Sequence, residues 1–151
     1  MSKIFSIDNK GIDLIKQFEG FESKAYVCPA GVVTIGYGAT YWLDGSKIVK
    51  GQTIDITKAT ELLKTMLSSY NKSVDSMTRD DISQNQFNAL VSFAYNCGIN
   101  ALKGSTLLKK VNINPNDISI KDEFKKWNKA NGKALQGLTN RRIAESNMYF
   151  S

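Results

Sequence analysis

The sequence predicts an α+β fold, with a small β-bearing N-terminal lobe on a mainly helical body. Three observations lead there: one β-rich stretch, AYVCPAGVVTIGYG from Ala25 to Gly38; apolar positions at helical spacing through most of the remainder; and no internal repeat or low-complexity linker. The 151 residues, at roughly 100 to 200 per domain, are read as one domain over 1–151. Its β-containing lobe lies at about 20–56 and its helical body at about 57–151, together with the N-terminal helix. A composition 42% hydrophobic and 23% charged is enough for a packed core. A cleft between the two lobes is the expected ligand site.

Ile12, Ile15 and Phe18 recur every three residues, and Leu14 pairs with Phe18, so a helix spans 9–20 and Gly20 stops it. Pro29-Ala30-Gly31 then turns a hairpin with strands near 25–28 and 32–37. From Ala39 to Asp55 the pattern reads as a further short strand or an irregular segment. Thr57 is placed as the N-cap of a helix running to about Val74, with Ala59, Leu62, Leu63, Met66, Leu67 and Tyr70 on its core face. Ser83 with Gln86 is a capping box, opening an almost wholly apolar helix that Gly98 closes. Further helices are expected after Ser105, over Ile118–Lys129, and after Thr139, with breaks at Asn114-Pro115 and Asn131-Gly132.

The chain has no histidine. That excludes Ser-His-Asp hydrolases, Cys-His peptidases, HExxH metalloenzymes and His-containing zinc sites, so catalysis must rest on carboxylates, hydroxyls, thiols or amines. Cys28 and Cys97 are too few for a disulfide framework or a metal cluster, which suits a reducing site of folding. The opening MSKIFSIDNK lacks both a signal-peptide apolar region and the run of about 20 apolar residues of a membrane span. Twenty basic against 14 acidic residues give +6, which favours an anionic partner: nucleic acid, an acidic membrane face or a cell-wall polymer. The Lys and Arg are scattered rather than clustered, which argues against nucleic acid.

Glu19 falls at the end of the first predicted helix, where the macrodipole disfavours a second negative charge. A carboxyl kept neutral is the proton donor that cleavage of a glycosidic bond needs. Eight residues separate Glu19 from Cys28, and five separate Cys28 from Thr34, so a helix end is followed by one polar group on each hairpin strand. Taken singly, these three are a solvated glutamate, a small apolar thiol and a β-former. Together they supply an acid and two groups able to hold a water, as inverting hydrolysis requires across roughly 6.5–9.5 Å.

On this spacing, and on GIDLIKQFEGF, AYVCPAGVVTIGYG, QFNALVSFAYNCG, STLLKKVN and GLTNRRIAE in order along the chain, the sequence resembles the T4-like and P22-like phage lysozymes, or endolysins, of glycoside hydrolase family 24, in the Cys variant of their Glu-x8-Asp/Cys-x5-Thr motif. The resemblance implies a lysozyme-like fold and cleavage of the β-1,4 bond between N-acetylmuramic acid and N-acetylglucosamine in peptidoglycan. Glu19 would be the general acid, while Cys28 and Thr34 would position or activate water. Tyr37, Tyr95, Asn96 and Thr106 would contact substrate, although aromatics on an apolar helix are usually core and Thr106 at a helix start is usually a cap. It also implies a cofactor-free, metal-free monomer without stable membrane insertion. Such an enzyme is made in the host cytoplasm and reaches the wall, to lyse the host, after a holin opens the inner membrane. The alternatives are a lytic transglycosylase, a nucleophilic Cys28, and a peptidoglycan-binding protein with impaired turnover. Where many relatives read Gly-Tyr-Gly-His-Thr, this chain has Ala39, so an altered hydrogen-bond network is expected there.

Among the other residues, Phe124 and Trp127 are read as core and Cys97 as a buried thiol. Arg141 and Arg142 are placed in the first turn of the last helix, with Arg141 paired to Glu145 four residues on.

Overall fold

In the computed structural model, which describes residues 3–151, helix α1 (Asn9–Glu19) begins where Asp8 satisfies the free amides of its first turn. The Asp8 carboxylate accepts from Lys10 N at 3.1 Å and Gly11 N at 3.3 Å. Gly20, at φ 73°, ends the helix where the sequence predicts.

The hairpin pairs β1 (Glu22–Val27) with β2 (Val33–Gly36) antiparallel. The first strand starts three residues earlier than expected and stops just before Cys28. A bulge between Glu22 and Tyr26 frees the middle of β1 from β2. That middle pairs instead with a later segment, through Ala25 N to Gln52 O at 3.0 Å and Ile54 N to Ser23 O at 2.9 Å. Residues 39–55 form no continuous strand and are tied by isolated bridges, among them Ile35 with Ala39 and Tyr41 with Lys47. Gly36 has φ 65°, and a Cβ there would come within 3.2 Å of the Ala59 methyl, so close approach and backbone angle both call for glycine. Ala39 is buried, and its N–H and C=O both pair with Ile35 at 2.9 Å, a closure that needs no side chain at position 39.

Helix α2 (Ile56–Met77) is capped by Asp55, whose carboxylate accepts Lys58 N at 2.7 Å, and not by Thr57, which lies inside it. Both types cap well, and two residues of offset escape an apolar pattern. Helix α3 (Gln84–Cys97) carries the predicted capping box of Ser83 and Gln86 and ends at Gly98. A short α4 (Ile99–Lys103), not expected from the sequence, leads to α5 (Thr106–Ile113), capped by Ser105 through Leu108 N at 3.0 Å. Helix α6 (Ile120–Lys125) is half the predicted length, so Trp127 lies beyond it, partly exposed. The expected break at Asn131-Gly132 is a hairpin turn joining β3 (Lys129–Ala130) to β4 (Lys133–Ala134), with positive φ at both residues. Helix α7 (Gln136–Tyr149) starts three residues before Thr139, which places Arg141 and Arg142 in its second turn, away from the positive end of the dipole.

The described residues divide into two compact units: a β unit, Ile15–Ser69, and a helical unit made of the residues up to Leu14 with Tyr70–Ser151. The divisions fall inside α1 and α2, so the β unit is wider than the expected 20–56. Ile35, Ile48, Ile54, Ala59, Leu62 and Leu63 are buried in the β unit. The helical unit has a run of edge-to-face rings, Phe93 to Phe124 at 6.0 Å and Phe124 to Tyr149 at 5.7 Å. Each such buried side chain contributes roughly 1.5–3 kcal/mol.

The same unit buries Glu123 and, apart from it, a cluster of three charges, Arg141, Arg142 and Glu145. Glu145 accepts from Ser92 Oγ and from Arg141 Nε at 3.3 Å, the pairing expected from the sequence. Its other oxygen lies 3.1 Å from Arg142 Nε, an ion pair whose N–H is not aligned on the oxygen. Burial pushes the Glu145 carboxyl up, against the opposing pull of Arg142 and Arg141. Glu145→Gln removes the one anion between two buried guanidinium groups and is expected to lower unfolding free energy by about 3 kcal/mol in urea titrations, against about 1 kcal/mol for Ser83→Ala at the α3 cap.

Candidate active site

All three motif side chains lie in the β unit. Glu19 is the last residue of α1 and is partly buried. Tyr37, just past β2, packs against both chain flanks of Glu19: its ring centroid lies 5.6 Å from that of Phe21 and 5.5 Å from Lys16 Nζ. Tyr37 is only 4% exposed, so these contacts hold the end of β2 beside the end of α1.

Cys28 is the first residue of the hairpin turn, and not part of a strand. Its carbonyl accepts Gly31 N at 2.8 Å and its N–H donates to Val32 O at 2.9 Å. Pro29 occupies the turn position that suits its fixed φ, and Gly31, at φ 84°, returns the chain to β2. The turn aims the amides of Val32 and Ala30 at the Cys28 sulfur, and with the Thr34 hydroxyl they pull this partly exposed thiol below its ordinary pKa. Thr34, 4% exposed, sits opposite Tyr26 in the ladder. Its hydroxyl has one proton, directed to Val32 O at 3.0 Å or, by rotation, to the thiolate.

The Tyr26 phenol, on the residue opposite Thr34 in the ladder, is itself perturbed. Burial raises its pKa first, followed by the negative charges of Glu22, Cys28 and Glu19. A carboxyl and a thiol inclined to ionise therefore act on the same ring, with a buried hydroxyl beside the thiol. That set can donate a proton at one point and accept one at another.

Tyr95, Asn96 and Thr106 belong to the helical unit. Tyr95 is half-buried and meets Tyr70 edge to face at 5.2 Å. Asn96 is exposed, and its Oδ1 accepts from Arg142 Nη2, which leaves the amide N–H₂ as a donor. Thr106 is exposed at the first position of α5, where capping is the work of Ser105. Trp127, read from the sequence as core, lines a hollow of about 470 Å³ with Asn96, Cys97, Lys126 and Lys129. The missed signal is Asn131-Gly132, whose hairpin forms that wall. Cys97 is half-buried and in contact with Arg142, and burial raises its thiol pKa. Among the described residues no group of His, Cys, Asp or Glu is placed to hold a metal ion.

Residues 16–145 match the phage lysozyme family. The chain is 43% identical over 148 residues to the endolysin of Bacillus phage B103, covering 97% of this chain and 54% of that protein. It thus spans about half the length of that relative. It is 37% identical over 148 residues to the endolysin of Salmonella phage P22, covering 98% of this chain and 100% of that one. Its structure is similar to the muramidase domain of SpmX from Asticaccaulis excentricus, with a TM-score of 0.85 and 30% identity over 98% of this chain and 99% of that one.

The two thiols differ in environment, and alkylation separates them. Followed by mass spectrometry against pH, Cys28 is expected to react with iodoacetamide with a midpoint below the ordinary thiol value, about 8.5, and Cys97 with one above it. Thr34→Val is expected to move the Cys28 midpoint upward and leave that of Cys97 in place.

Proposed function

The chain belongs to the phage lysozyme family, and from that premise we propose that the protein is an endolysin hydrolysing the β-1,4 bond between N-acetylmuramic acid and N-acetylglucosamine in bacterial peptidoglycan. The observation that carries the reading is the hairpin turn that gathers two amides and a hydroxyl around Cys28, in the same unit as a helix ending on Glu19.

In the proposed reaction Glu19 gives its proton to the bridging oxygen as the glycosidic bond breaks. A water held by Cys28 and Thr34 adds its oxygen to the muramic anomeric carbon, and its proton passes to the sulfur. The hydrogen bonds that favour the thiolate keep more of Cys28 ionised, and so ready to accept a proton, than in a free cysteine. Solvent then exchanges protons with both groups and restores them. Tyr37 is given a positioning role, holding the helix end that bears Glu19, in place of direct contact with sugar. Asn96 offers its amide donor to an N-acetyl carbonyl, with Tyr95 and Thr106 as further sugar contacts.

The charge of +6 supports adsorption to the anionic wall. Action as a monomer, synthesis in the host cytoplasm and passage through a holin-opened inner membrane complete the proposal. Among the described residues no helix is long and apolar enough to cross a membrane.

Clearance of purified cell walls tests the reading. Glu19→Gln is expected to slow clearance by a factor of about 100 or more, the scale of a lost general acid, with the protein still folded. Equal clearance by variant and parent would overturn the assignment. Mass spectrometry of the released fragments is expected to find reducing muramic ends, whereas anhydro ends would mark a transglycosylase.

A further inference from the structure

Outside the motif residues, the β unit has a second concavity of about 310 Å³, lined by Trp42, Leu43, Asp44, Lys58 and Leu62. Leu62 is buried, at 3% exposure, and closes an apolar floor, while Trp42 remains partly accessible. The indole is not free to swing, because Trp42 Nε1 donates to Gln52 Oε1 at 3.0 Å and the same oxygen accepts Val49 N at 2.7 Å. Asp44 is fixed as well: its Oδ1 accepts from Ser46 N at 2.9 Å and Ser46 Oγ at 2.6 Å, bonds that lower its pKa and keep it ionised. Its second oxygen accepts no hydrogen bond among the described residues and is left as an acceptor at the rim. Lys58 is exposed there and forms no ion pair among the described residues.

We propose that this pocket is a secondary glycan-binding site for one N-acetylhexosamine residue of the wall polymer, separate from the residues that cleave it. A fixed indole beside a leucine floor matches the apolar face of a pyranose ring. A carboxylate for the amide N–H or hydroxyls, and an ammonium for a carbonyl or a lactyl carboxylate, supply the few placed polar groups that orient a small ligand. The volume is at the lower end of small-ligand pockets, roughly 300–1,000 Å³, and suits a single ring. Preorganisation of the indole and the carboxylate lowers the ordering cost of binding. A second foothold on the same polymer would lengthen residence on the wall by making rebinding intramolecular. The proposal rests on peptidoglycan as the substrate class and is tested apart from turnover.

The test uses the full chain carrying Glu19→Gln, so that ligand survives, titrated with N-acetylglucosamine trisaccharide and followed at the indole N–H resonance of Trp42, assigned by comparison with Trp42→Phe. Saturable movement of that resonance is expected. Lys58→Gln and Asp44→Asn, both on exposed side chains, are each expected to weaken the response by about tenfold. In the parent background, Trp42→Ala and Lys58→Gln are expected to reduce retention on insoluble glycan strands freed of peptide, while hydrolysis of short soluble oligosaccharides is unchanged. A Trp42 resonance that stays still at saturating sugar, with undiminished retention by folded Lys58→Gln, would overturn the proposal and leave the hydrolase reading standing. Saturable movement with wall clearance indifferent to Glu19 would do the reverse.

Discussion

At the tip of the first hairpin Cys28 uses both of its backbone groups, donating to Val32 O and accepting from Gly31 N. A residue so tied cannot move its Cβ without opening the turn, and that Cβ carries the sulfur on the side of the Ala30 and Val32 amides and the Thr34 hydroxyl. Those donors favour the anion over the neutral thiol. A side chain that in bulk water is mostly protonated at neutral pH is thereby shifted toward its ionised form, without a histidine beside it. The proposed chemistry follows from the turn: a thiol as proton acceptor, a hydroxyl beside it, and a carboxyl at the end of the preceding helix.

The rest of the β unit supports that turn. Gly36 lets β2 pass close to Ala59 of α2, and Tyr37 grips Lys16 and Phe21 on either side of Glu19. The acid is in this way referenced to the strand that also carries Thr34. The helical unit uses a different device, an Arg142 guanidinium that lies over the Phe93 ring 5.1 Å from its centroid, pairs with Glu145 and takes the Asn96 carbonyl. Burial makes such charges costly unless paired, which is why one arginine can orient an exposed amide without drifting.

Elements with chemical punctuation were legible in the sequence. The Ser83 and Gln86 box, the stops at Gly20 and Gly98, and the Pro29-Ala30-Gly31 turn all stand where their residue types require. Positions set by competition between equivalent residues were not. Asp55 and Thr57 are both good caps, and only the carboxylate reaches Lys58 N. Asn131-Gly132 reads equally as a break or a hairpin, and two-residue strands have too little pattern to decide. Ile118–Lys129, with Phe124 and Trp127 at helical spacing, reads as one helix, yet α6 stops at Lys125. At the site, the motif spacing pointed to Glu19, Cys28 and Thr34, whereas the burial of Tyr37 and the amide contacts at Cys28 depend on the pairing of distant backbone, which no local pattern contains.

The stereochemical course of hydrolysis tests the account most directly, because a sulfur that only accepts a proton and a sulfur that attacks carbon leave different products. Proton NMR of glycan strands during the first minutes of cleavage is predicted to show the inverted α-anomer of the new muramic reducing end, with no mass added to Cys28. A β-anomer formed first, together with a glycosyl adduct on the sulfur, would contradict the role assigned to the turn.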